Sequence, residues 1–339
     1  MRTGVAPLSP HLPGPWRAYA GMLLRPRRGV SEERQMPVIG RSTGPVKLQA
    51  PWLAAYRELI GLPDEPAVLP PLALQLAAAA LHLDIMADRH FPFRAMGLVH
   101  LSQRVDQIAA VMPGAVLKLE AFTGRTRPVR LGTRFDLITE ARREGRLVWR
   151  SVVGVLARHG ERSEEAANDR EERSLYRLGR GPDPMLGLPA RPPAADTSSA
   201  PMPLSTFSIM DDGSSLQPLG WQRLETIDVP EDLGRRYASV AGDWNPIHQR
   251  AWLARRFGFE RAVVHGTWTL ARGLVAAGWP LNEAYSLHAQ FRKPVLLPSS
   301  VATWIQTGSA LQWLRVTDVT GDIEHVVARL EPAVAPLRG

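Results

Sequence analysis

Apolar and polar positions alternate in two long stretches of the chain, separated by a polar interval. In the first stretch, "VKLQAPWLAAYRELIGLP" reads as a short strand into Pro51, then a helix with Leu53 and Tyr56 on its apolar side, closed by Gly61. The second offers "TIDVPEDLGRRYASVAGDWNP", with Pro230, Leu233, Tyr237 and Gly242 in the same order. An apolar helix follows in each, "PPLALQLAAAALHLDIMAD" and "GTWTLARGLVAAGW". Strands around a histidine and a Pro-containing turn come next, "GLVHLSQRVDQIAAVMPGAVLKLEAFTG" beside "YSLHAQFRKPVLLPSSVATWIQTG". Both stretches end in alternating strands, "RLVWRSVVGVLARH" and "IEHVVARLEPA". So many elements agreeing in order and spacing point to an internal duplication. An apolar helix followed by several antiparallel strands predicts an α+β layer, with a curved sheet wrapped over one buried helix in each copy.

The interval between the copies runs from charge ("RHGERSEEAANDREERS") into Pro, Ala and Ser ("PARPPAADTSSAPMPLS"), which is a linker composition. The expected organisation is an N-terminal extension over 1–44, a first unit over 45–160, the linker over 161–219 and a second unit over 220–335. At 339 residues the chain can bury two cores. No apolar run approaches the roughly 20 residues of a membrane span, and the basic N-terminus lacks the apolar centre of a signal peptide. With no cysteine, disulfides and thiolate catalysis are excluded, and a reducing cytoplasm fits. The formal charge of +8 fits either a solvated basic surface or a partner carrying phosphates. Nucleic acid is the weakest such partner, because the arginines are scattered and not interleaved with stacking aromatics.

Candidate chemistry concentrates in "YASVAGDWNPIHQRAWLA", residues 237–254. Pro246 forces Asn245 out of helical geometry, so the Tyr237 helix should break there. A looped-out turn then brings Asp243 and His248 against one small molecule, where a carboxylate and an imidazole form a general acid–base pair. Asn245 adds a third polar group able to orient either one. Gly242 sits at the turn. His265 and Gly266 open the next helix, with Thr267 behind them, and a helix N-terminus offers unpaired amides to a developing oxyanion. The first copy reads Gly61-Leu62-Pro63 at the corresponding place and has no such pair. Acid, base and oxyanion donor describe reversible addition of water beside an activated carbonyl. No G-x-S-x-G elbow points to a serine triad, and Asp243, His248 and His265 lack a further ligand at the usual spacing for a metal.

These residues resemble the hydratase-2 motif of the MaoC-like dehydratases, the (R)-specific enoyl-thioester hydratases. Tyr237, Val240, Gly242, Asp243, Asn245, Pro246, Ile247, His248 and Ala254 fit it; Ala241 and Thr267 depart without removing a reacting group. The resemblance is strong over 220–335 and weak over 45–160. It implies a double hot-dog fold with one active site, in which Asp243 and His248 are catalytic, the Gly266 amide is the oxyanion donor, and Asn245 and Tyr237 support them. It implies a reversible enoyl-CoA or acyl-carrier-protein hydratase of fatty-acid or related lipid metabolism, without cofactor or metal. The first copy would be a degenerate repeat that shapes room for the acyl chain. Gly242, His265, Thr267, Arg292 and Lys293 are the expected substrate contacts, and Arg255, Arg256 and Arg261 either join them at nucleotide phosphates or form a solvated face. A homodimer is compatible with this form. Two other functions stay open at this point: a hot-dog acyl thioesterase, and a non-catalytic acyl-thioester-binding protein.

Overall fold

The computed structural model describes residues 36–62, 68–95, 97–129, 132–158, 220–279, 283–307 and 312–332; the linker and the N-terminal extension up to residue 35 lie outside them. The first half contributes β1 (Gly40–Lys47), α1 (Ala50–Ile60), α2 (Ala73–Ala77), α3 (Ala79–Ala87), β2 (Leu98–Gln107), β3 (Val116–Val129), β4 (Gly132–Arg143) and β5 (Arg146–Arg158). The second contributes β6 (Gln222–Val229), α4 (Leu233–Ala241), a 3₁₀ turn (Pro246–His248), α5 (Ala251–Arg255), α6 (Gly266–Ala276), β7 (Tyr285–Phe291), β8 (Ser299–Thr307), β9 (Gln312–Asp318) and β10 (Glu324–Pro332).

The strands form one antiparallel sheet in the order β1-β3-β4-β5-β2-β7-β10-β9-β8-β6. Read from either end, the two halves have the same internal order, so the fold repeats the duplication seen in the sequence. The halves meet where β2 pairs with β7, from Ser102 opposite Gln290 to Gln107 opposite Tyr285. The two curved sheets expected from sequence are thus one ten-stranded sheet, because each copy covers an exposed edge of the other.

Local sequence explains the elements. Burial alternates along β3, as a sheet with one face on the core requires. Between β4 and β5 the chain reverses over Glu144 and Gly145, both at positive φ (53° and 80°), which is the two-residue turn suited to the twist of a hairpin. Helix α1 takes Pro51 in its first turn, where a missing N–H costs nothing, and buries Trp52, Leu53, Tyr56 and Ile60 on one stripe. The first-half apolar helix, read from sequence as continuous, is divided at Ala78. The amides of Leu81 and His82 both bond the Ala78 carbonyl, so one tightened turn separates α2 from α3.

The helices interlock across the halves. Trp52 on α1 donates its indole N–H to the Val240 carbonyl on α4 at 2.9 Å, and Trp268 on α6 donates to the Leu59 carbonyl on α1 at 2.7 Å. Tyr56 and Tyr237, both fully buried, lie with ring centroids 6.3 Å apart. Buried aromatic area with its polar tips satisfied fixes the second half's helices against the first.

Candidate active site

Helix α4 buries Leu233, Tyr237, Ala238, Val240 and Ala241 and ends at Gly242, whose φ of 73° is readily adopted only without a side chain. The helix therefore stops before Asn245-Pro246, slightly earlier than the proline alone predicts. The next residues form two nested turns. The Asp243 Oδ1 accepts the Asn245 N–H at 3.1 Å, and the Asn245 Oδ1 accepts the Ile247 N–H at 3.4 Å as the cap of the 3₁₀ turn. Asn245 thus supports the site by holding the backbone between Asp243 and His248.

His248 is buried, and its Nδ1–H donates to the Val263 carbonyl at 2.7 Å. That bond places the proton on Nδ1 and leaves the Nε2 lone pair pointing at Asp243, 3.9 Å from Oδ2. Burial pushes the His248 pKa down, against the opposing pulls of the Asp243 carboxylate and the Val263 carbonyl. The pair at neutral pH is thus an imidazole facing a carboxylate across a gap that one water or hydroxyl can span with hydrogen bonds to both.

His265 braces this pair. Its Nε2–H donates to the Asp243 carbonyl at 3.0 Å, and its ring stacks on that of His248 with centroids 3.7 Å apart and planes 24° from parallel. Burial, and next the neighbouring His248, hold its pKa well below the ordinary histidine value. Tyr237 packs behind it, ring to ring at 4.9 Å, and donates its hydroxyl to Thr267 Oγ1 at 3.2 Å. Potential ligand atoms of Asp243, His248 and His265 do lie within 4.8 Å of one another. The spare N–H of His265 is directed at a carbonyl, however, which leaves one imidazole lone pair and the carboxylate turned to the gap. That set suits a water better than a cation.

Gly266 is the first residue of α6, behind an extended His265. A Cβ there would lie 2.8 Å from the Phe291 ring, so glycine lets the helix end approach β7 closely. Gly234 does the same for His248: a Cβ there would meet the His248 carbonyl at 2.1 Å. Sequence reading did not single out Gly234, since its requirement comes from a turn fourteen residues later.

A cavity of about 210 Å³ adjoins the site. Asp243, Asn245, His265 and Thr267 form one end of its wall. Apart from Ala241, the rest comes from the first half: Gln75, Leu76, Ala79, His82, Leu83 and Met86 along α2 and α3, with Leu98 and His100 of β2, Ala95, and aliphatic side chains of β4 and β5. The helix positions from 75 to 86 span roughly 16 Å at the usual rise per residue. Sequence reading missed Gln75, His82 and His100. The only signal was a histidine in a predicted strand, and which wall it faces depends on a bulge.

The basic residues expected to touch substrate lie elsewhere. Arg292 is ion-paired with Glu324, Arg261 donates to the Pro298 carbonyl at 2.8 Å, Arg255 donates to the Glu260 carbonyl at 3.2 Å, and Arg256 lies over the Trp252 ring. The Lys293 carbonyl accepts from His325 at 3.0 Å. None of the five lines the cavity.

The site is thus a buried imidazole facing a carboxylate on the turn after a helix, beside a largely apolar cavity. Residues 218–328 match the family model of the MaoC like domain. The chain is 24% identical over 278 residues to 3-hydroxyacyl-thioester dehydratase X of Mycobacterium tuberculosis, covering 81% of this chain and 83% of that one. A shorter match, 33% over 78 residues, reaches the mitochondrial 3-hydroxyacyl-[acyl-carrier-protein] dehydratase of Arabidopsis thaliana, covering 22% of this chain and 46% of that one. Among solved structures, HtdX of Mycobacterium tuberculosis superposes with a TM-score of 0.61 at 21% identity, over 87% of this chain and all (100%) of that one. A MaoC-like dehydratase from Phytophthora capsici gives 0.59 at 14% identity, over 88% and 95%. The fold is a double hot-dog, and residues 218–328 of its second half match the MaoC like domain.

Proposed function

We propose that the protein is an (R)-specific enoyl-thioester hydratase, or (3R)-hydroxyacyl-thioester dehydratase in the reverse direction, with Asp243 and His248 as its acid–base pair. The observation that carries this reading is the 3.9 Å gap between Asp243 Oδ2 and His248 Nε2, beside a largely apolar cavity that Asp243 helps to line. Both atoms accept hydrogen bonds in their resting state, so a water donating one hydrogen to each turns its lone pairs outward to C3 of a trans-2-enoyl thioester. As the C3–O bond forms, His248 Nε2 takes a proton, and the adjacent carboxylate stabilises the imidazolium. The electron pair of the double bond moves onto the thioester carbonyl, which we place on the Gly266 amide at the positive end of α6. The enolate then collapses and takes that proton from the His248 imidazolium at C2, which restores the neutral imidazole and completes the addition of water across the double bond.

The organisation of the chain follows the same reading. The unit over 220–335 holds the site, the unit over 45–160 forms the acyl wall, and 161–219 links them. That wall is supported by the cavity lining, most of which comes from α2, α3, β2, β4 and β5. The carrier is coenzyme A or acyl carrier protein. The ion pairs and carbonyl contacts of Arg292, Arg261 and Arg255 favour the reading in which these residues stabilise the fold over one in which they grip phosphates. No helix of the described residues is long and apolar enough to cross a membrane; we place the protein in the cytoplasm, in keeping with a chain that has no cysteine.

The test is the enoyl absorbance of trans-2-enoyl-CoA and carrier-linked substrates on adding protein. Loss of the signal with wild type, and a fall of about 10²-fold or more in Asp243→Asn and in His248→Ala, is the expected result. Thiol release without loss of enoyl absorbance would identify a thioesterase instead. Tight binding without turnover would identify a carrier of acyl thioesters.

A further inference from the structure

Tyr237 is fully buried, and a buried phenol has to place its proton on an acceptor. That acceptor is Thr267 Oγ1, at 3.2 Å. A hydroxyl that accepts through one lone pair still carries its own hydrogen. Thr267 gives this hydrogen to no acceptor among the described residues. Its side chain is half-buried in the wall of the cavity, at the end it shares with Asp243, Asn245 and His265. One hydroxyl hydrogen, with its oxygen already fixed, is therefore available to whatever fills that end.

The neighbouring groups divide sharply into donors and acceptors. In the first turn of α6 the amides of Trp268 and Thr269 both bond the His265 carbonyl, at 3.0 and 3.2 Å, while those of Gly266 and Thr267 have no partner among the described residues. Side chains on a helix lean towards its N-terminus, so the Thr267 hydroxyl lies at the same end as these amides and the positive end of the dipole. Facing it, the Asp243 carboxylate only accepts. His265 Nδ1 is buried without a partner and, with the ring proton on Nε2, also only accepts. A water, which donates, is matched to the acceptor side. A thioester carbonyl, which only accepts, is matched to the start of α6.

We infer that Thr267 is a catalytic residue whose hydroxyl donates to the thioester carbonyl oxygen, and that Tyr237 is a positioning residue that holds the Thr267 oxygen in place. The bond strengthens as electrons move from the double bond onto that oxygen, and relaxes when the enolate collapses; the proton stays on Thr267 throughout. Thr267 is also a position where the chain departs from the motif it resembles, so this donor is particular to this chain. The inference rests on the acyl-thioester reading of the cavity, though not on the hydration step.

The experiment reads the carbonyl itself. A saturated acyl thioester with an isotopically labelled carbonyl, on coenzyme A and on acyl carrier protein, has no double bond to hydrate, and its carbonyl stretch when bound is recorded by infrared difference spectroscopy. We expect a lower stretch in the wild-type protein than in Thr267→Val, with Thr267→Ser close to wild type. Tyr237→Phe should lie between, and should add nothing in a Thr267→Val background. With trans-2-enoyl substrates, Thr267→Val should lower kcat by about 10²-fold while KM moves by about 3-fold or less, and Ser should recover most of the loss. Melting curves establish that the variants fold, and Thr267→Ala serves if Val does not. The same stretch in wild type and Thr267→Val overturns the inference, and so does a Ser variant no better than Val. A lower stretch in Tyr237→Phe than in wild type would mean that Thr267 donates to the phenol, and would overturn the inference too. Failure of both saturated thioesters to bind would overturn it together with the thioester reading. Because the spectrum is taken without turnover, an absence of enoyl hydration would overturn the roles of Asp243 and His248 and leave the carbonyl contact standing.

Discussion

Gly61 and Gly242 close α1 and α4 in the same left-handed geometry, at φ of 68° and 73°, and from there the two halves diverge. After Gly242 the chain lays down Asp243, Asn245 and His248 in nested turns, and α6 begins behind an extended histidine. The first half instead reaches its central helix through the buried apolar residues Leu69, Pro70, Pro71 and Leu72, and Leu72 itself sits at a φ of 61°. The shared parts are those the sheet and helix packing demand. The divergent parts are the turns between the first helix of each half and its central helix. A duplicated scaffold thus tolerates divergence in these turns, because the packing that stabilises both copies does not depend on them.

The sharpest way to break this comparison is to make the second half resemble the first. Asp243→Asn and His248→Leu should each lower kcat by about 10²–10⁴-fold in the enoyl absorbance assay, with little change in the melting temperature. A comparable loss on altering Leu72 or Ala73 would contradict the assignment of a single site. Next in size is Gly266→Ala, whose new methyl meets Phe291 at 2.8 Å. It should cost about 10–10²-fold in kcat, and Phe291→Leu should restore part of it if the loss is steric displacement of the helix end.

Filling the wall tests the other half. Ala79→Phe should reduce kcat/KM for long acyl chains by about 10-fold or more while short chains keep most of theirs; equal losses at every length would place the chain outside the slot.

The first half's histidines should also set the acid limb of stability. Burial holds His82 and His100 at about 4, below their ordinary 6.5. In the folded state both stay neutral, while the unfolded chain binds protons below pH 6.5. Stability is therefore complete above that pH, falls as pH drops towards 4, and levels off below. The slope is about 1.4 kcal/mol per pH unit for each histidine, and urea titrations from pH 7 to 4 should show it shallower in His82→Gln. Smallest is Trp268→Phe, which removes the donor to the Leu59 carbonyl that ties the halves together. It should cost about 1 kcal/mol and lower Tm by a few degrees.

Much of this molecule was legible in its sequence because its signals are local. Pro51 and Gly61 bound α1, alternation marks β3 and β5, and the order Gly-Asp-Asn-Pro-His specifies a turn that no helix or strand can absorb. The same spacing placed Asp243, Asn245 and His248 in one cluster. His265 was visible as a residue at a helix start, and the structure adds that it grips the Asp243 backbone and stacks on His248. The arginines were ambiguous in sequence because charge alone does not say whether a partner lies within the fold, as Glu324 does for Arg292.

What the sequence determined by itself was the duplication, most of the secondary structure of each copy, and the clustering of Asp243, Asn245 and His248, since each depends on residues within one or two turns of one another. Only the tertiary structure decided that the two sheets fuse through β2 and β7, and that the slot beside the second half's acid and imidazole is built largely from the first. It alone turned Gln75 and His100 inward. Those outcomes depend on strand register and on a single bulge, and they join residues more than a hundred positions apart, where no periodicity in the chain carries information.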